Sequence, residues 1–160
     1  IAYYSFILVL SQGCKSNEQP EKTTLSTMTP FKFFTNADGK QVLIVSVDGD
    51  GHVVFPDGKR VARITVDGEW LDIESGRVVK IDRNGHLLLN GQADPKNKVR
   101  ISEDAIHVDG EQFTLDAQGA FHDSRDTKMS SIRVHGVDSK NRRAVFLTMV
   151  MMFLGRSSNR

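Results

Sequence analysis

Residues 38–49 read DGKQVLIVSVDG and residues 57–68 read DGKRVARITVDG, a repeat in which seven of twelve positions are identical. A shorter copy, SGRVVKIDRNG, follows at 75–85, and Gly51, Gly68 and Gly85 lie 17 residues apart. A repeat this short cannot bury its apolar side alone, so successive copies must pack against one another, and that sets the architecture. Within each copy the apolar side chains alternate with polar ones. Leu43, Val45 and Val47 share one parity, and Ala62, Ile64 and Val66 hold the matching positions in the second copy. Val79 and Ile81, Val99 and Ile101, and Phe113 and Leu115 continue the pattern. A period of two with one apolar face is the mark of a half-buried antiparallel strand.

Between these runs stand Asp48-Gly49, Asp57-Gly58, Asp67-Gly68, Ser75-Gly76, Asn84-Gly85, Asn90-Gly91, Asp109-Gly110 and Gln118-Gly119. Asp-Gly and Asn-Gly pairs favour tight hairpins because both residues tolerate the positive φ such turns need. Gly68 and Gly85 are expected at positive φ. Residues 41–122 thus predict a meander of about nine short strands, a number at which a sheet twists, curls or closes. The expected fold class is all-β: an antiparallel meander of short hairpin repeats, curled or barrel-like, with an apolar helix at the C-terminal end. The 160 residues, 39% hydrophobic, suit one domain with tails.

Upstream of the repeat, FILVLSQGCKSNEQ (6–19) runs from apolar residues through Gly13 into Cys14, the single cysteine, and then turns polar. One cysteine excludes an internal disulfide framework. Residues 1–10 are too short to span a bilayer, which takes about 20 residues, and match the apolar region of a signal peptide. The stretch resembles a bacterial lipoprotein signal, in which a small residue precedes the cysteine that becomes diacylated. Gly13 takes the first role and Cys14 the second, while the family's aliphatic position falls on Ser11, with Leu10 one place earlier. The resemblance implies a signal peptide over 1–13, lipidation at Cys14, and a polar tether over 14–30. Lys15, following the cysteine, implies the outer membrane or the periplasmic face. The competing reading of Cys14 is a free thiol in a core segment. With the hairpin repeats added, the chain resembles lipid-anchored bacterial proteins of Asp-Gly repeats, of the myxobacterial type. That resemblance implies a location and a fold and no chemistry.

The β-repeat domain is expected over 31–137 and the helix over 138–155, leaving 156–160 as a basic tail. Asp138 and Ser139 suit the start of the helix and Gly155 its end. From Ala144 to Leu154 the one polar residue is Thr148. The run admits three readings: a helix packed on or plugging the sheet, a last buried strand, or a membrane-seeking tail between Arg142 and Arg143 on one side and Arg156 and Arg160 on the other. Residues 123–160 carry eight Lys/Arg against three Asp, net +5, and the rest of the chain is −4. Such asymmetry points to a protein partner or an anionic membrane surface at the basic end. The overall charge of +1 gives no reason to expect nucleic acid.

Candidate chemistry is sparse. Asp48 and Asp50 have calcium-like spacing, but His52, Val53 and Lys59 stand where an EF-hand loop needs a ligand, a glycine and a glutamate. His52 and His86 occupy equivalent repeat positions 34 residues apart; His107, His122 and His135 complete the histidines. No nucleophile elbow, zinc-protease motif or phosphate-binding glycine loop is present. After Cys14 there is one tryptophan, Trp70, and no tyrosine, which gives little for an aromatic sugar platform. The sequence therefore predicts a non-catalytic envelope protein without metal or cofactor, structural or binding in role. The rival is a small-ligand carrier or enzyme whose pocket forms inside the curled sheet.

Overall fold

The computed structural model describes residues 27–125 and 128–154. The expected signal peptide, Cys14, most of the tether and the basic tail 156–160 lie outside the described residues. What is described is one antiparallel sheet and one short helix.

Thirteen strands succeed one another: β1 (Phe31–Ala37), β2 (Lys40–Val47), β3 (His52–Val54), β4 (Arg60–Ile64), β5 (Glu69–Asp72), β6 (Val78–Ile81), β7 (Leu87–Leu89), β8 (Gln92–Ala93), β9 (Val99–Ile101), β10 (Ala105–Val108), β11 (Glu111–Leu115), β12 (Ala120–His122) and β13 (Lys128–His135). Their spatial order is β8-β7-β6-β5-β4-β3-β2-β1-β13-β12-β11-β10-β9. The meander is as expected, and longer. It begins at Phe31 rather than 41 and ends at His135 rather than 122. Its extra strands β1 and β13 pair with each other, Lys32 opposite His135 and Phe33 opposite Val134, and so join the two halves. The sheet is not closed: β8 and β9 are its two edges, although consecutive in the chain. It curls far enough that an isolated bridge links His86, beside β7, to Arg100 on β9.

The predicted parity holds. Val45, Val47, Ala62, Ile64, Val79, Ile101, Phe113 and Leu115 are buried, with Leu43, Val66, Ile81 and Val99 half-buried. These inward side chains cover helix α1 (Arg142–Met149), which continues as a π-helical turn over Val150–Leu154. Ala144, Val145, Phe146 and Leu147 are 0% exposed. Phe121 meets Phe146 at 6.3 Å and Phe33 meets Phe153 at 5.5 Å between ring centroids. An eleven-residue apolar run is thus accommodated as the plug of the sheet, with each large side chain contributing about 1.5–3 kcal/mol by leaving water. The helical backbone excludes the strand reading, and the burial of Ala144 to Val150 against the sheet favours the packed helix over a membrane tail. No described helix is long and apolar enough to cross a membrane.

The helix also starts later than its sequence suggests. Asp138 and Ser139 do not cap it; the N-cap is Asn141, with no side-chain cap bond. Asp138 instead closes a turn ahead of the helix, its Oδ1 accepting from the N–H groups of Lys140 (2.9 Å) and Asn141 (2.8 Å). An aspartate that can bond the backbone two and three residues on competes with the helical conformation.

Candidate functional site

In a meander every second hairpin tip falls at the same end of the sheet, and the two ends differ. At one end Asn90-Gly91 and Asp109-Gly110 have both residues at positive φ, as the sequence suggests, and so does Asp38-Gly39, ahead of the expected meander. A Cβ on any of these glycines would meet nothing within 4 Å. At the other end the tips are built differently. Asp48, Asp82 and Asp116, spaced 34 residues apart, each open a turn whose fourth residue, Gly51, Gly85 or Gly119, carries the positive φ. Each aspartate Oδ1 accepts two N–H bonds at 2.8–3.0 Å, from Asp50 and His52, from Asn84 and His86, and from Gln118 and Ala120. Thr65 does part of this work in the turn between β4 and β5, accepting from the Glu69 N–H at 3.1 Å.

These glycines are also crowded. A Cβ on Gly51 would lie 2.0 Å from the Ile64 carbonyl oxygen, on Gly85 2.2 Å from that of Ile101, and on Gly119 1.9 Å from that of Val134. The neighbouring backbone comes that close because it bonds to the turn. Ile64, Ile101 and Val134 donate their N–H to the carbonyls of Gly51, Gly85 and Gly119 at 2.7–2.8 Å. Here glycine is needed for space as well as for φ.

The same aspartates hold the histidines that sequence reading singled out. His52 Nδ1 lies 3.2 Å from Asp48 Oδ2, and His122 Nε2 lies 2.6 Å from Asp116 Oδ2; His86 Nδ1 is 3.7 Å from Asp82 Oδ2. Burial works to raise the carboxyl pKa values of Asp48 and Asp116, but the bonds from backbone N–H groups and from His52 and His122 outweigh it, and both are lowered. Asp82 is lowered chiefly by the His86 N–H. The repetition of His52 and His86 therefore reflects a repeated turn, each histidine set against its own aspartate. His107 lies elsewhere, 3.4 Å from Ser102 Oγ, its pKa lowered by burial and then by Arg100. His135 packs on the Phe34 ring at 4.8 Å.

Asp48, Asp50 and His52 do bring three ligand-type atoms within 4.8 Å, and are the single such group among the described residues. Both oxygens of Asp48 are already engaged within the turn, which accounts for the grouping without an ion. Trp70 is 4% exposed, a core residue rather than a platform.

The crowded end also holds a cleft of about 1300 Å³. Gly85, Ile101 and the start of α1 form its floor; Arg83, His86, Arg100, Glu103, Asp104 and Lys140 stand at its exposed rim. It does not enter the curl of the sheet, which the helix fills. Arg142 and Arg143 leave the first turn of α1 in different directions. Arg142 lies over the Phe146 ring at 5.5 Å, and its Nη2 donates to the Leu115 carbonyl at 3.4 Å. The Arg143 stem packs beside Gly68, and its Nη2 donates to the Asp82 carbonyl at 3.3 Å. The basic character of the C-terminal end was legible in sequence. Its place beside the tips at 83–86 and 100–104 was not, because a local pattern carries no information about which turns the helix start will meet. Comparison with family models, with curated proteins and with solved structures yields no match.

Proposed function

We propose that this chain is a non-catalytic, lipid-anchored protein of the bacterial cell envelope that binds a partner or surface through the crowded end of its sheet. The observation that carries the reading is the burial of α1. Ala144 to Met149 occupy the inner face of the sheet at no more than 1% exposure. A carrier or enzyme with its pocket inside the curl would need that space. Asp48, Asp82 and Asp116, with His52, His86 and His122, are engaged in their own turns, which supports a non-catalytic reading. Anchoring rests on Gly13-Cys14 and the polar residues that follow, and Lys15 after the cysteine supports the outer membrane or the periplasmic face.

The test is the intact mass and membrane fraction of the mature protein. A diacylglycerol increment on Cys14, lost together with membrane association in Cys14→Ser, is the expected result. An unmodified thiol on Cys14 in the mature protein overturns the anchor.

A further inference from the structure

We infer that the outer face of β1 and β13, centred on Lys32 and Arg133, is the surface this protein lays against an anionic phospholipid bilayer. The inference deepens the surface-binding role proposed above and rests on the anchor at Cys14 for the identity of that surface.

Charge is segregated in this fold. Aspartates gather in the hairpin tips, where they bond the turn backbone. Strands β2, β1 and β13, side by side at the middle of the sheet, contain Lys32, Lys40, Lys128 and Arg133 and no aspartate or glutamate. Phe31, Phe33 and Val134 turn inward at no more than 2% exposure. By alternation Lys32 and Phe34 on β1, and Arg133 and His135 on β13, turn outward. Lys32 stands opposite His135, and Phe34 opposite Arg133. Among the described residues no carboxylate pairs with Lys32 or Arg133. Carboxylates lie beyond the ends of the strip, Asp48, Asp116 and Asp138 at the crowded end and Asp38 and Asp123 at the other, and none lies on its strands.

Shape and chain path select the occupant. A sheet curled around α1 is convex outside, and a flat surface touches a convex one along few strands. The chain also enters the fold here. The Met28 N–H donates to the Gly49 carbonyl at 3.0 Å, just ahead of β1. Cys14 precedes Lys32 by 18 residues, a reach of at most about 60 Å. An acyl group on Cys14 therefore keeps the strip within reach of the leaflet that holds it. Lysine and arginine close to an anionic leaflet are drawn to it, and a few cations beside an acyl anchor make the second of two membrane signals. The anchor holds the protein at the bilayer, and the strip decides which face turns toward it.

The experiment is sedimentation of the full chain carrying Cys14→Ser with phosphatidylglycerol vesicles and, separately, with phosphatidylcholine vesicles. The readout is the excess on the anionic vesicles, because the apolar residues 1–10 contribute to both. The expected excess falls as salt rises from about 0.02 to about 0.2 M. It is weakened about fivefold by Lys32→Gln or Arg133→Gln, the loss of one cation at the leaflet. Should the half-buried Arg133→Gln fold poorly, the exposed Lys32→Gln decides the matter. Lys96→Gln, exposed in the link between the edge strands β8 and β9, should bind as the parent does. Absence of an anionic excess, or an equal loss in Lys96→Gln, overturns the site. A concentration-dependent dimer in sedimentation velocity, lost in Lys32→Gln, assigns the strip to a second copy and overturns the lipid. Acylation is read separately from the mass of the mature protein, so an unmodified Cys14 removes the anchor without altering this measurement.

Discussion

Asn141 Nδ2 donates to the carbonyl of Thr29 at 2.9 Å, a bond across 112 residues of sequence. The same amide donates to the Gly136 carbonyl at 2.7 Å, and its Oδ1 accepts from the Asp138 N–H at 2.8 Å. Asn141 is 0% exposed and uses its whole side chain. It fastens the lead-in of β1 to the link between β13 and α1, the point where the chain's two halves meet. Thr29 Oγ1 adds a second fastening to Asp138 Oδ2.

Replacing Asn141 by leucine keeps the branched four-atom shape, with somewhat more bulk, and removes all three bonds, leaving the Thr29 and Gly136 carbonyls without this donor. The bonds are part-buried, so water can reach some of the freed groups, and Asn141→Leu should lose on the order of 1–3 kcal/mol in denaturant unfolding. Asp138→Asn, which can still accept from the same N–H groups, should lose much less. Equal losses would mean that the amide is not the fastening element.

Glycine-to-alanine substitutions should separate the two ends of the sheet. At Gly58, Gly76 and Gly110, where a Cβ meets open space, the cost is that of positive φ alone, about 1–2 kcal/mol. At Gly51, Gly85 and Gly119 the new methyl also collides with a backbone carbonyl that cannot move without breaking the bond to the turn. Those three variants should be the less stable set by several degrees in Tm or should fail to fold. Thermal melts of the six variants test this, and indistinguishable sets would refute the difference between the ends.

Stability should fall on acidification. Asp48, Asp82, Asp116 and Asp138 all have carboxyl pKa values held below the ordinary one, Asp138 chiefly by the Thr29 hydroxyl. A group whose pKa is depressed on folding binds fewer protons folded than unfolded, so its contribution is present above the unfolded value of about 3.9 and is lost as pH falls through the folded one. Unfolding free energies measured from pH 7 to pH 3 should decline below about pH 5. Asp116→Asn should start lower at pH 7 and decline less steeply. A variant with the parent's slope would remove Asp116 from the account.

Local pattern carried the strands a long way. The alternation of Val45, Val47, Ala62 and Ile64 with polar neighbours follows from the two-residue period of a strand, and it places those side chains on the inner face before any contact is known. The turn signals likewise marked where the chain reverses. They did not distinguish Asp38-Gly39, with two positive φ values, from Asp48 to Gly51, where the aspartate gathers N–H groups and Gly51 alone turns left-handed. That choice depends on how close Ile64 comes, which is a fact of packing. Pairing of β1 with β13 was invisible for the same reason: FKFFTNA has no special affinity for KMSSIRVH until the rest of the sheet brings them side by side. The greasy run from Ala144 read first as a core helix but left a strand and a membrane tail open, since hydrophobicity states that a segment leaves water and not what receives it. The curl of thirteen strands supplied the receiver, and with it the cleft, where Arg142 and Arg143 from one end of the chain stand beside tips from its middle.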